Sequence, residues 1–379
     1  MTVTKKENCM NRDIKTFGLL IFSIFLLFNY TACQELPKEK TVIEIDVKFP
    51  ETAESPEMSG LTWYKDYLII LPQYPHLFKS DYQGKLFAVP KAQILSYLDD
   101  KMNKKTNPSA IEPQAIEFIF DKKLFNQIED FEGFEAIGFW DDRVFITIEA
   151  SPPRQMMGYL VSGQITTGAN NQMTIDITGK LIKIQPQACI SNAAYEALVV
   201  TKEIVMVFFE GNGVNVNASP LAHVYNHSLE FLHSIAFPPI EYRITDATAL
   251  DANNRFWCIN YFWPDVKDKT SYDPAEDPIA QKFGEGKTHK KAEIVERLVE
   301  FEYIKPNNNK YAKIVLVNSP PIQMELLGAD QNDARNWEGL VRLDNHGFLL
   351  ITDEHPKTML GFIAQGGYFR EKPLAGATY

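Results

Sequence analysis

Carboxylates recur along this chain in one setting: each stands beside a small residue at the mouth of a short apolar run. Glu135, Glu196, Asp246 and Glu338 open "EAIGFWDDRVFITIE", "EALVVTKEIVMVFFE", "DATALDANNRFWCIN" and "EGLVRLDNHGFLLITDE". A polar residue closes each run: Glu149, Glu210, Asn260, and Asp353 with Glu354. A neutral copy, "SGLTWYKDYLIILPQ", carries Ser59 and Gln73 in the same places. Carboxylates gathered at short range repel, so they need a cation, basic partners, or protons held by raised pKa values. Oxygen ligands without His or Cys favour calcium or magnesium over transition metals. The expected metal set is Glu135, Glu149, Glu196, Glu210, Asp246, Asn260 and Glu338, with calcium as the ion and Gln73 as a further carbonyl donor. Arg243 and Arg335, each three residues before an acid, offer another solution: they neutralise the ring or hold an anionic substrate. Paired carboxylates also suit general acid–base work, with Glu338 or Glu196 as base. Asn336, Asp353 and His355 fall beside them as candidate ligand contacts. A ring that only bonds backbone amides and channel water is the structural alternative.

The grammar around the acids names the elements that position them. Each copy is a polar residue, a small residue, a short strand, a turn of Asp, Asn, Lys or Glu, and a more apolar strand. In a two-strand hairpin, residues with a constant index sum face one another. By that rule Glu135 meets Glu149, Glu196 meets Glu210, Asp246 meets Asn260, and Glu338 meets Thr352 or Asp353, always at the end away from the turn. The hairpins start about 50 to 90 residues apart, a period compatible with propeller blades. The intervals supply two further strands each, as in "MMGYLVSGQI" with "KLIKIQP" and "RLVEFEYI" with "AKIVLVN". The fold class expected is therefore all-β: a β-propeller of four-stranded antiparallel blades, five counted and six possible. "TMLGFIA" supplies one strand after the last hairpin, and "TVIEIDVKF" is a spare strand before the first. The N-terminal strand thus closes the ring and protects its edges. The innermost strands line the channel, so the polar ends gather on one rim. Two segments, "KAQILSYLDDKMNKK" and "DKKLFNQIED", read as short helices inserted in blade one, and residues 263–293 as a long polar insertion in blade four.

Composition narrows the partners. The chain has 379 residues, is 45% hydrophobic and carries a formal charge of −11. An acidic chain is a poor nucleic-acid binder, and "KTHKK" at 287–291 reads as a solvated loop. Lys5, Lys6, Arg12 and Lys15 precede the apolar "FGLLIFSIFLLF", a signal-peptide pattern too short to span a bilayer comfortably. Thr31 and Ala32 before Cys33 resemble a lipoprotein cleavage site, with Tyr30 where Leu is usual. The expected organisation is a leader over 1–32, a lipidated Cys33 with a polar tether to 40, and the propeller over 41–379. The product is exported and membrane-anchored by lipid. Cys189 and Cys258 could pair or stay as free thiols, and no spacing suggests zinc. There is no nucleophile elbow, P-loop or dinucleotide fingerprint. Trp337, Trp263 and Tyr261 could stack on ligand rings or pack between blades.

The stretches "NWEGLVRLDNHGFLLITDEHP", "ITDATALDANNRFWCINYF" and "FEGFEAIGFWDDRVFITIEA" resemble the phytase-like esterase family. The resemblance covers roughly residues 55 to 365 and implies an exported propeller, hydrolysis of esters or phosphoesters, and calcium. By position it implicates Glu135, Glu196, Asp246, Asn336, Glu338 and Asp353. Ser59 departs from the pattern, as do Glu354 and His355 in place of the second Asp and Asn. Two functions follow. One is a metal-assisted hydrolase of a small anionic or ester substrate, with Arg335 or Arg243 holding the anion. The other is a surface lipoprotein that binds a ligand or partner protein across the same rim, with the blade-four insertion as lid or docking loop.

Overall fold

The computed structural model describes residues 36–52, 55–78, 83–103, 108–170, 172–264, 273–307, 311–327 and 334–365. The chain divides into two units, Met1–Pro37 and Lys38–Tyr379, and the fold is that of the second. The leader and Cys33 lie outside the described residues, as does 265–272 of the blade-four insertion. Among the described residues no helix is long and apolar enough to cross a membrane.

The strands follow one another in the order the hairpins predict. A short β1 (Ile43–Ile45) precedes blade one, which contains β2 (Met58–Tyr64), β3 (Tyr67–Pro72), β4 (Gln83–Pro90) and β5 (Gln114–Ile119). Blade two contains β6 (Phe131–Trp140), β7 (Arg143–Ala150) and β8 (Met157–Thr167), with β9 (Met173–Asp176) and β10 (Leu181–Ile184) both paired to β8. Blade three is β11 (Ala197–Val200), β12 (Val205–Phe208), β13 (Leu221–Tyr225) and β14 (Phe231–Ala236). Blade four has β15 (Arg255–Phe262) and β16 (Val295–Ile304), with β17 (Lys313–Leu316) and β18 (Ile322–Gln323) on the far side of β16. Blade five is β19 (Trp337–Leu343), β20 (Gly347–Thr352) and β21 (Leu360–Ala364), completed by β1 in the register Ile43 to Phe362. The N-terminal strand closes the ring as expected.

The innermost elements form a closed circuit. Strand β2 packs on both β6 and β19, and β6 packs on β11. In blade four the innermost element is no full strand: Arg243 bridges to Gly211 and Tyr261, and Ala247 bridges to Cys258. Thr245 donates its hydroxyl to Trp337 O at 2.5 Å and so joins blade four to blade five. Among the described residues the circuit has five members. Blades one and two share one sheet because β5 and β9 pair in parallel at their outer edges.

The glycines after Ser59 and Glu338 are a packing requirement. A Cβ at Gly60 would lie 2.7 Å from Glu135 O, and one at Gly339 would lie 2.8 Å from the Leu61 side chain. Neighbouring inner strands approach too closely for more at those positions. The remaining faces bury apolar residues between blades, as with Leu71, Phe118 and Phe134 between blades one and two and Phe208, Phe256 and Phe301 between blades three and four.

The two expected helices are present as α1 (Lys91–Met102) and the single turn α2 (Lys122–Phe125). In the insertion, α3 (Pro278–Phe283) is capped by Asp277, which also pairs with buried Arg297. The expected polar tether and solvated loop meet here instead as a buried clasp. Glu39 accepts hydrogen bonds from the N–H groups of Thr288 and His289, and lies 2.8 Å from His289 Nδ1. His289 is buried, while Lys287 and Lys290 are exposed. Cys189 is exposed and Cys258 buried, both as free thiols.

Candidate functional site

The acids converge, though not by the pairing the sequence suggests. Glu149 faces Gly133, and Ile137 faces Ile146, with a register shift between Phe134 and Ile137. Glu135 therefore sits in a bulge rather than opposite Glu149. Similar shifts fall between Met58 and Gly60 and between Trp337 and Gly339, at Ser59 and Glu338. In blade three Ala197 faces Phe208, one residue out of the expected sum, so Glu196 and Glu210 are not opposed either. Asp246 lies opposite Ile259 rather than Asn260, since Ile259 N–H donates to Asp246 O. A bulge adds a residue to one strand and re-aims its side chain. Here it turns the opening acid out of the ladder while the apolar alternation continues beyond it.

Arg243 is the hub. Its Nη2 lies 3.3 Å from Glu196 Oε1 and 3.9 Å from Glu338 Oε1, and its Nε meets Glu210 Oε1. The guanidinium also lies over the Tyr261 ring, 5.9 Å from its centre. Glu135 sits behind this group: Ser59 donates to its Oε2 at 2.7 Å and Gln73 to its Oε1 at 3.2 Å. The neutral first hairpin thus supplies the donors that its acidic neighbour needs. Asp246 is occupied elsewhere, accepting from Leu340 N–H and Ala247 N–H at 2.7 Å each, and it ties adjacent blades together.

One guanidinium does not balance these acids. Glu149 Oε1, Glu196 Oε2 and Glu210 Oε2 are buried without a hydrogen-bond partner. Such oxygens are costly to keep charged. Burial, with the charge of Glu196 added, pushes the Glu135 carboxyl up to about 8 against the donors from Ser59 and Gln73 and the charge of Arg243. Burial likewise raises Glu149, Glu196, Asp246 and Glu338, and for Glu338 the charges of Glu196 and Asp353 add to it. A carboxyl raised in this way can serve as a proton donor.

A cavity of about 1030 Å³ opens beside the hub. It meets the hub at Arg243 and the acids at Glu210 and Asp353, while Glu135, Glu149, Glu196 and Glu338 do not line it. Asn336 and His355, the candidate ligand contacts, line it too. Asn336 Nδ2 donates to Asp353 Oδ2 at 2.7 Å, and His355 N–H donates to Asp353 Oδ1 at 2.7 Å, so this carboxylate is held in one orientation. The His355 side chain is largely exposed, with Nδ1 3.6 Å from Asp353 Oδ2.

Two expected participants lie outside this arrangement. Arg335 is spent on Glu296, with Nε and Nη2 at 2.8 and 2.7 Å from Oε2, and its Nη2 donates to Glu325 O at 2.6 Å. It has no donor arrangement for an anion on the rim. Asn260 Nδ2 donates to Glu241 O, and its Oδ1 accepts from Arg297 Nε at 2.8 Å. Its carbonyl oxygen serves the blade interior rather than a channel ion. Among the described residues, no group of three or more His, Cys, Asp or Glu is disposed to hold a metal ion. With Arg243 inside the acids and Asp246 bonded to backbone, the residues expected to bind calcium do not fit it.

Two rim residues escaped the sequence reading. Glu57, at φ 41°, has its carboxyl raised by burial and by the charges of Glu354 and Asp353. Tyr74 has its phenol raised by burial and by Glu57 and Glu135. Both lie just outside the first hairpin, where the repeat gives no signal.

No family model matches the chain, and no curated protein matches it. The hairpin resemblance to phytase-like esterases is thus without a matching family model. The structure is similar to a glycosyl hydrolase from Bacteroides ovatus at 9% identity and TM-score 0.40, over 86% of this chain and 89% of that one. It is similar to a mannose phosphorylase from Leishmania mexicana at 13% identity and TM-score 0.36, over 94% and 95%. It is similar also to an alpha-L-arabinanase mutant of Cellvibrio cellulosa at 10% identity and TM-score 0.35, over 82% and 91%. Likenesses this distant carry no information on activity; the propeller is established by the strand order and the closed inner circuit.

Proposed function

We propose that the chain is a hydrolase that cleaves a neutral, sugar-like substrate by carboxyl acid–base chemistry on the channel rim. The observation that carries this reading is the surplus of acids around Arg243, three of which already occupy its guanidinium. The cavity beside it is lined by Glu210, Asp273, Glu285, Glu293 and Asp353, an acidic lining unsuited to phosphate and other anions. It suits a substrate whose hydroxyls bond to carboxylates and whose leaving oxygen needs a proton. Phosphoesters, the expectation from the resemblance, need a free cation that neither Arg243 nor Arg335 offers. Arg243 rather than calcium is the counter-charge in this account, so EDTA leaves thermal stability and turnover unchanged.

Asp353, on the cavity wall, is the base, and Glu338, buried beyond the cavity lining with its Oε1 3.9 Å from Arg243 Nη2, is the proton source. Burial and the charge of Glu196, with that of Asp353, raise the Glu338 carboxyl and so favour its holding the proton to be given. Asp353 takes a proton from water as its oxygen attacks the anomeric carbon. The glycosidic carbon–oxygen bond breaks, and a cavity water protonates the departing oxygen as it takes the proton of Glu338. The leader and Cys33 put this enzyme outside the cytoplasm on a lipid anchor.

The test is a panel of p-nitrophenyl glycosides, phosphates and esters. Turnover of a glycoside, lost by about a hundredfold or more in Glu338→Gln and Asp353→Asn, supports the reading. Turnover of phosphates alone contradicts it. No turnover on any class favours a non-catalytic binder on the same rim.

A further inference from the structure

Three aromatic residues stood out in the sequence as ring-stacking candidates, and the structure separates them. Trp337 is fully buried and donates its indole N–H to Glu296 Oε2 at 2.9 Å. Tyr261 is 4% exposed beneath Arg243. Trp263 is 45% exposed and lines the cavity. A large aromatic side chain open to water inside a cavity is unusual, because burying it is favourable.

The wall behind it is built. Tyr242 and Phe262 also line the cavity, with ring centres 4.9 Å apart and planes at 30°. The Arg297 guanidinium lies 5.4 Å from the Tyr242 ring centre and is itself fixed by Asp277 and Asn260. Tyr242 has φ 73°, a conformation costly for a residue with a side chain. Strain of this kind persists where the surroundings impose it, and here it sets a ring in a cavity wall. Asp273 and Glu285 line the same wall with carboxylates able to accept from hydroxyls. Glu241 steadies it by accepting from Val214 N–H and Ala275 N–H on either side.

Resting on the hydrolase reading above, we infer that Trp263 and the Tyr242–Phe262 pair form a carbohydrate subsite, where a second sugar ring of the substrate stacks away from the bond that is cleaved. Aromatic faces and carboxylates together recognise a sugar ring, which has an apolar face and a rim of hydroxyls. The cavity's size leaves room for more than the reacting ring. The subsite selects oligosaccharides over single sugars without taking part in the proton transfers.

The experiment uses the full chain with Trp263→Ala and Trp263→Phe. Its probes are the p-nitrophenyl monoglycoside that the panel selects and the matching trisaccharide. In Trp263→Ala, kcat/KM on the trisaccharide falls about tenfold through KM, while the monoglycoside changes less than about twofold. Trp263→Phe restores most of the loss. Equal effects on both substrates, or none on the trisaccharide, overturn the subsite. Should the panel give no turnover, the hydrolase reading fails by itself, and a printed glycan array still reads the subsite. Binding by the wild type that Trp263→Ala abolishes supports it, and absence of binding by the wild type overturns it.

Discussion

Two arginines in adjacent blades, Arg335 buried and Arg243 partly exposed on the cavity, show what the propeller does with charge. Arg335 meets one acid, Glu296, whose Oε2 takes Arg335 Nε and Trp337 Nε1 and whose Oε1 takes Arg335 N–H. The pair is neutral and its oxygens are bonded. Arg243 meets three acids, with further acids behind them and carboxylate oxygens left without partners. Matched charge in a dry interior is a structural solution, and unmatched charge is kept where protons or ligands are handled. In the sequence the two arginines look alike, each three residues ahead of an acid. Only the partners brought in from other blades distinguish them.

Breaking the matched pair has the largest effect. Arg335→Met leaves Glu296 buried and alone, and lowers stability by about 3–5 kcal/mol in denaturant melts. Arg243→Met costs less, about 2 kcal/mol, because the surplus acids respond by taking protons. Its melting temperature recovers on acidification. If the two variants lose equal stability, the contrast between them fails.

The smallest effect sharpens the comparison further. The Glu135 carboxyl holds its proton up to about pH 8 in the folded chain, against an ordinary 4.5. The folded state therefore binds more protons than the unfolded state over that interval. Stability contributed by this group is full below about 4.5 and declines as pH rises towards 8. Glu135→Gln flattens the decline in melting temperature over that range, while Glu296→Gln leaves the slope in place.

The blades were legible because period-two alternation and turn residues are local signals, and five copies reinforce one another. Closure by the 43–45 strand followed from counting strands. The bulges at Ser59, Glu135 and Glu338 were not legible, since the constant-sum rule assumes an unbroken ladder. They moved the Glu135–Glu149 and Glu338 pairings, and one-residue offsets in blades three and four moved the others. The fates of Asp246 and Asn260 were equally hidden: both are polar strand-end residues, yet one bonds a neighbouring blade's backbone and the other holds Arg297. Glu39 and His289 read as tether and loop, and only the long-range fold places one against the other.

The account rests on protons retained by the unmatched cluster at neutral pH, which infrared spectroscopy reads directly. Difference spectra of the wild type against Glu135→Gln and Glu338→Gln should show a protonated-carboxyl stretching band at pH 7 that each substitution weakens and that titrates away towards pH 9. Glu296→Gln should leave that band unchanged. A wild type with no protonated-carboxyl band above pH 5 would contradict the account.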